Sequence, residues 1–160
     1  MTGDDGAPEI RPPGSRALPA HDQLASVLAP MLALADVDGL TLVLASVELW
    51  TSSVFLRTAI LRNATTDELD AEHEAAFEQW SETARETPPP AQPATRLMRL
   101  DLTLSDDVGT GYRNQGRSAA GTGTEWRAEW KFQPGVPADA TRLTLTLRGR
   151  DGEQRHELTL

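Results

Sequence analysis

The chain has 160 residues, a formal net charge of −9 and no cysteine. That length suits one domain with room for a buried core. The missing thiols exclude a disulfide framework, a thiolate metal site and a cysteine nucleophile, and the acidity argues against binding to nucleic acid or an anionic membrane surface. Lys131 is the only lysine, against fourteen arginines, which reads as the GC bias of a high-GC bacterial genome. Apolar runs fall far short of the roughly twenty residues a membrane-spanning helix needs. Leu40–Leu49 comes nearest, so no membrane insertion is expected.

Residues 1–20 are rich in Pro, Gly and charge and read as a disordered tail. They contain no basic segment followed by an apolar one, so a cytoplasmic location is expected. From Asp22 to Leu32, the positions of Leu24, Val27, Leu28, Met31 and Leu32 fit helical spacing, with Asp22 as a possible N-cap. Pro30 interrupts that pattern, and an irregular strand is the alternative. Asp36-Val-Asp-Gly39 is a turn. Leu40–Trp50 is a long strand whose apolar phase changes midway, which predicts a bulge near Ala45–Ser46. Thr51-Ser-Ser53 then turns into a return strand, Val54–Leu61, completing a hairpin.

Thr65 and Glu68 have capping-box spacing. Leu69, His73, Ala76, Phe77, Trp80 and Ala84 follow at helical spacings, opposite Asp67, Asp70, Glu74, Glu78 and Glu82. This predicts one amphipathic helix over about 66–85, ended by Thr87-Pro-Pro-Pro90 and a stiff linker through Pro93. The rest is strand and turn. Met98, Leu100, Leu102 and Leu104 alternate with polar residues. Ser105–Gly109 turns, and a weaker strand covers 110–117. In Glu125–Phe132, Trp126, Ala128, Trp130 and Phe132 share one face and Glu125, Arg127, Glu129 and Lys131 the other. Such alternation marks a strand with one face in the core and one in water. Its charged face suits cross-strand ion pairing. Gln133–Asp139 is a loop, and Leu143, Leu145 and Leu147 begin a closing hairpin through Gly149–Gly152. About seven strands at short spacing, without βαβ alternation, indicate an antiparallel β-sandwich.

Leu100–Leu104, Ser105-Asp-Asp-Val-Gly-Thr-Gly-Tyr112, Trp130–Ala140 and Leu143–Leu147 together have a familiar order. Over residues 97–160, and loosely in the Leu40–Leu61 hairpin, the chain resembles bacterial immunoglobulin-like domains. These include domains in the outer segments of anti-sigma-factor-type proteins and lipoproteins. The helical insert and the lack of a signal sequence depart from those domains. The resemblance implies an immunoglobulin-like β-sandwich and supplies no catalytic residues.

Few residues suggest chemistry. Asp36-Val-Asp-Gly39 fails as a calcium loop, because Leu34 and Ala45 would occupy ligating positions. Asp106 and Asp107 form a carboxylate pair near Tyr112. Such pairs can do acid/base work or hold a cation, and they are also ordinary turn residues. His21, His73 and His156 lie in no metal pattern. There is no nucleophile elbow, P-loop or dinucleotide fingerprint, so no cofactor is expected. The acidic helix either packs Phe77 and Trp80 onto the sandwich or presents them as a recognition surface.

The expectation is a mainly β, immunoglobulin-like antiparallel β-sandwich over 21–160 with a helical insert at 66–86. It is expected to act as a non-catalytic interaction module for another protein or for itself. The possible surface comprises His73, Phe77, Trp80, Asp106 and Asp107. One alternative is a hydrolase-type enzyme or cation-binding domain using Asp106 and Asp107. Another is a homo-oligomeric structural domain joined through an edge strand.

Overall fold

The computed structural model describes residues 22–83, 87–121, 125–149 and 152–160. The expected tail at 1–20 lies outside them. The elements, in chain order, begin with β1 (Leu24–Leu28), β2 (Leu32–Val37), β3 (Leu40–Trp50) and β4 (Val54–Ile60). Helix α1 (Ala64–Glu82) and a 3-10 helix (Pro93–Arg99) follow. The chain then forms β5 (Asp101–Asp106), β6 (Arg113–Ala120), β7 (Trp126–Gln133), β8 (Arg142–Gly149) and β9 (Gly152–Thr159). All pairings between them are antiparallel.

Two sheets result. The larger runs β3-β4-β7-β6, with β1 and β2 both paired to the outer side of β3. The smaller runs β5-β8-β9. The strand with the cleanest alternation, β7, sits inside the large sheet between β4 and β6. Its Trp126, Ala128, Trp130 and Phe132 are all buried. They join Leu42, Leu44, Val47, Leu56 and Ile60 of the same sheet and Leu102, Leu104, Leu143, Leu145, Leu147 and Leu158 of the other in one core. Period-two burial on both sheets puts one apolar face of each toward the other.

The expected helix over Asp22–Leu32 is not formed. This segment is β1 and β2, a single edge broken at Ala29–Met31, and the strand alternative is the one observed. Met31 takes a left-handed φ of 46° beside Pro30. Proline has no N–H for a helix or an inner ladder but is tolerated at a sheet edge. Asp22 caps no helix. Its carboxylate accepts bonds from Thr51 Oγ1 (2.9 Å), the Ser52 amide (2.8 Å) and Ser53 Oγ, fastening the chain to the β3–β4 turn.

The predicted bulge is present. The β3–β4 register shifts between Leu44 and Ser46, and the shift keeps Leu40, Leu42, Leu44 and Val47 on the core side. Asp38 and Gly39 both have positive φ, 53° and 80°. They make the β2–β3 connection a type I′ turn, whose twist suits a hairpin. Met98 belongs to the 3-10 helix rather than a strand, and that helix buries Pro93, Ala94 and Leu97.

On the outer face of the large sheet, Arg57 Nε donates to Glu48 Oε1 at 2.5 Å, and a second guanidinium nitrogen reaches Glu129 across the strand pair. Lys131 Nζ stands 5.1 Å from the centre of the Phe55 ring. Glu129 and Lys131 are thus used in cross-strand contacts, while Arg127 pairs with Glu125, the residue just before β7, at 2.6 Å.

Candidate interaction surface

Helix α1 is attached mainly at its N-terminal half. Asn63 is the N-cap. Its side chain accepts from the Thr66 amide at 3.0 Å, and its own amide donates to Thr66 Oγ1 at 2.9 Å. The capping box therefore starts two residues before the expected Thr65–Glu68 pair. Asn serves as an N-cap at least as well as Thr, so residue type alone did not separate the two registers. The Asn63 amide group also donates to the Gly39 carbonyl at 2.7 Å, seating the helix on the β2–β3 turn. Two turns on from Asn63, Asp70 Oδ1 accepts from Trp126 Nε1 of β7 at 3.0 Å. Leu69 packs against the core beside this bond.

Beyond Leu69 the helix leaves the core. Among its described residues only Thr66 is fully buried. Of its ring stripe, Phe77 is 46% exposed, while His73 and Trp80 are half-buried. The His73 and Phe77 rings are 6.2 Å apart and the Phe77 and Trp80 rings 5.2 Å. Trp80 is half-buried, and its Nε1 donates to the Thr87 carbonyl at 2.6 Å. A shallow cleft of about 280 Å³ separates the helix from the Pro90–Pro93 segment and the 3-10 helix, with His73, Ala76, Arg96 and Arg99 on its walls. Of the two alternatives for Phe77, packing inside the fold and presentation to solvent, the second is observed.

The charge around this stripe is one-sided. The helix carries Asp67, Glu68, Asp70, Glu72, Glu74, Glu78 and Glu82 and no Lys or Arg. Asp70, Glu74, Glu78 and Glu82 fall at successive i, i+4 positions, where each like-charge pair costs an isolated helix about 0.2–0.5 kcal/mol. Between described residues, the ion pair that α1 makes is Arg62–Asp67, at 2.7 Å. Glu82 lies in the last turn, where the helix dipole disfavours anions. Phe77 borders the first part of this ridge, where Glu74 at i−3 is its neighbour on the helix surface.

Asp106 and Asp107 lie elsewhere. Asp106 accepts from the Val108 and Thr110 amides (3.2 and 2.9 Å) and from the Tyr112 hydroxyl (2.9 Å). Burial pushes its pKa up, but the bonds from Thr110, Tyr112 and Val108 outweigh this and leave it below the ordinary value. Asp107 accepts from the Thr141 hydroxyl, the Thr141 amide (2.9 Å) and the Arg142 amide (3.2 Å). These bonds lower its pKa to about 2, the Thr141 hydroxyl contributing most. Burial and the Asp106 carboxylate raise the Tyr112 pKa. Two carboxylates held anionic and committed to amides and hydroxyls fasten the β5–β6 and β7–β8 connections. Tyr112 immediately precedes β6, whose first residue pairs with Gln133 at the far end of β7 from Trp126. The Asp pair and His73 therefore sit at opposite ends of β7, on the order of 20 Å apart at 3.3 Å per residue, and do not converge.

His156 has a role that its position in sequence did not signal. Its Nε2 donates to the Leu34 carbonyl at 2.8 Å, linking β9 of the small sheet to β2 of the large one. Asp36 accepts from the Gly39 amide at 3.0 Å within the turn. His21 lies outside the described residues. Among the described residues, no group of three or more His, Asp or Glu side chains is placed to share a metal ion, and no helix is long and apolar enough to cross a membrane.

No protein-family model and no curated protein matches the chain. Among solved structures it is similar to a conserved domain protein from Bacillus anthracis, at 15% identity and a TM-score of 0.41. The match covers 79% of this chain and 34% of that one, so the chain spans about a third of that protein's length. Two antiparallel sheets facing across a Leu- and Trp-lined interior, with one long helix, make the chain a mainly β protein of sandwich type.

Proposed function

We propose that the protein is a non-catalytic interaction module whose sandwich, read as immunoglobulin-like, displays α1 to a protein partner. The observation that carries this reading is Phe77. A large aromatic residue 46% exposed on a helix whose base is bonded to the core is an anchor held in place and left uncovered. Helix faces of this kind serve as peptide- and protein-recognition surfaces. The test is site-specific photocrosslinking in cells. A benzoylphenylalanine at position 77 should yield a discrete heavier adduct. The same probe at Val108, an exposed residue at the other end of the sandwich, should not. Absence of an adduct at 77, or equal adducts at both sites, would refute the reading.

A second reading, self-association, is favoured by β1. This edge strand and the break after it expose Leu24 (48%), Val27 (51%) and Met31 (67%), and an apolar open edge can pair with another copy. Light scattering after size exclusion decides it. A monomer at high concentration removes the idea, and a dimer broken by Val27→Lys supports it.

A further inference from the structure

We infer that the partner of α1 is a basic amphipathic helix, with an apolar side chain on Phe77 and Lys or Arg residues along the Asp70–Glu74–Glu78–Glu82 ridge. This rests on the proposal that α1 is the docking surface and adds the chemistry of what docks there.

Charge complementarity carries the inference. Seven carboxylates and no Lys or Arg lie on a 19-residue helix. Between described residues, Asp67 has an ion-pair partner in Arg62 and Asp70 a hydrogen-bond donor in Trp126. Glu74, Glu78 and Glu82 have no described counterion within ion-pair distance. They form a row of negative charge that runs into the negative end of the helix dipole. A solvated acidic face needs no neighbouring ring. Here the row passes Phe77 at Glu74, and the Phe77 ring packs at a tilt between those of His73 and Trp80. An apolar anchor bordered by like charge at intervals of about 6 Å, four residues at 1.5 Å each, matches a helix with an apolar stripe bordered by cations at the same spacing. An acidic partner would meet like charge along the whole ridge. A purely apolar one would leave the carboxylates uncompensated as water is displaced.

The experiment is fluorescence anisotropy on the full chain. The probe is a labelled amphipathic peptide of Leu and Lys alone, about 18 residues long so that it can form a helix. The comparison peptides are its Leu/Glu counterpart and a Leu/Lys peptide scrambled to remove the apolar face. The amphipathic Leu/Lys peptide should bind, and weaken steeply between low and physiological salt. Phe77→Ala should cost about tenfold in affinity, and Glu74→Gln with Glu78→Gln about tenfold together. Asp139→Asn, exposed in the β7–β8 loop, should change nothing. Circular dichroism confirms that each variant keeps its fold. If the Leu/Glu peptide binds in a Phe77-dependent way, the surface stands and the basic chemistry is overturned. If Phe77→Ala leaves Leu/Lys binding intact, the surface itself is wrong. If the scrambled peptide binds as well and Asp139→Asn weakens it equally, the attraction is to net charge alone and the inference fails.

Discussion

Trp126 Nε1 donates to Asp70 Oδ1 at 3.0 Å, and this bond joins β7, an inner strand of the large sheet, to helix α1. Trp130, four residues further along the same face, is fully buried, and its Nε1 has no hydrogen-bond partner among the described residues. The two indoles make opposite contributions. A hydrogen bond to a charged acceptor stabilises by about 1.5–3 kcal/mol, and a buried donor left unmade costs about 1–3 kcal/mol. Asp70 is half-exposed, so water recovers part of its loss when the donor is removed.

Trp→Phe substitution at the two sites separates these effects. Both remove similar volume from the core and carry a cavity cost. Trp126→Phe also loses the Asp70 bond, and Trp130→Phe also removes the orphan donor. Trp126→Phe should therefore be the more destabilising, by about 1 kcal/mol or more in urea unfolding. It should also reduce hydrogen-exchange protection in α1. Equal costs, or the reverse order, would contradict this account.

The Asp107 carboxylate predicts an acid response. Its pKa of about 2 in the folded protein lies below the ordinary 3.8, held there first by the Thr141 hydroxyl. Asp22 is also lowered to about 2: its burial raises the value, and bonds from Ser53, Ser52 and Thr51 outweigh that. A carboxylate with a depressed folded pKa stabilises the fold above its unfolded pKa. That stabilisation is lost as pH falls through the folded value. Stability should thus fall between about pH 4 and pH 2. Asp107→Asn should lower stability at pH 7 and flatten this acid limb. A limb of unchanged slope in the variant would show that Asp107 does not drive it.

Much of the fold was legible because period-two patterning is set by local geometry. The β7 alternation, the β3 bulge, the Asp38-Gly39 turn and the helix after Asn63 could each be seen within about ten residues. What was not legible depends on distant partners. Leu24–Leu32 has helical spacing, but pairing with β3, together with the lost N–H of Pro30, decides its conformation. The Asp106–Asp107 pair looks the same in sequence whether it holds a cation or a loop. Asp106 is taken up locally by Val108, Thr110 and Tyr112, but Asp107 is committed by Thr141 and Arg142, more than thirty residues away. Helical spacing placed Phe77 and Trp80 on one stripe, but it did not say whether a sheet would cover that stripe. Here it is the 3-10 helix over Pro93–Arg99 that places Ala94 and Leu97 in the core.

Gly135 predicts a sharp steric effect. A Cβ built there would lie 2.6 Å from the Thr51 carbonyl oxygen and 2.7 Å from that of Trp50. Both are backbone atoms of the β3–β4 connection and have little room to move. Gly135→Ala should cost about 1–3 kcal/mol, the usual range for overpacking. Gly116, in β6, has nothing within 4 Å of the same position. Gly116→Ala should be neutral or stabilise by up to about 1 kcal/mol through the unfolded chain. Thermal melts of the two variants side by side test this. A tolerated Gly135→Ala would mean that the β7–β8 loop does not press on the hairpin.

The acidic ridge of α1 predicts that stability and binding part company. In Glu78→Lys, one substitution replaces two like-charge i, i+4 pairs, with Glu74 and Glu82, by two attractive ones. Each replacement is worth about 0.2–0.5 kcal/mol beyond the repulsion it removes. The new cation also lies near the negative end of the helix dipole. Hydrogen exchange in α1 should slow severalfold while the sheets are unaffected, because the helix is joined to them mainly through its first turns. Binding of a basic amphipathic peptide should fall at least as far as in Glu78→Gln, since a neutralised charge has become a repulsive one. A variant that both stabilises the helix and removes the interaction would identify the ridge as negative charge retained for a partner against the stability of the helix that carries it. A variant that strengthens peptide binding would contradict that assignment.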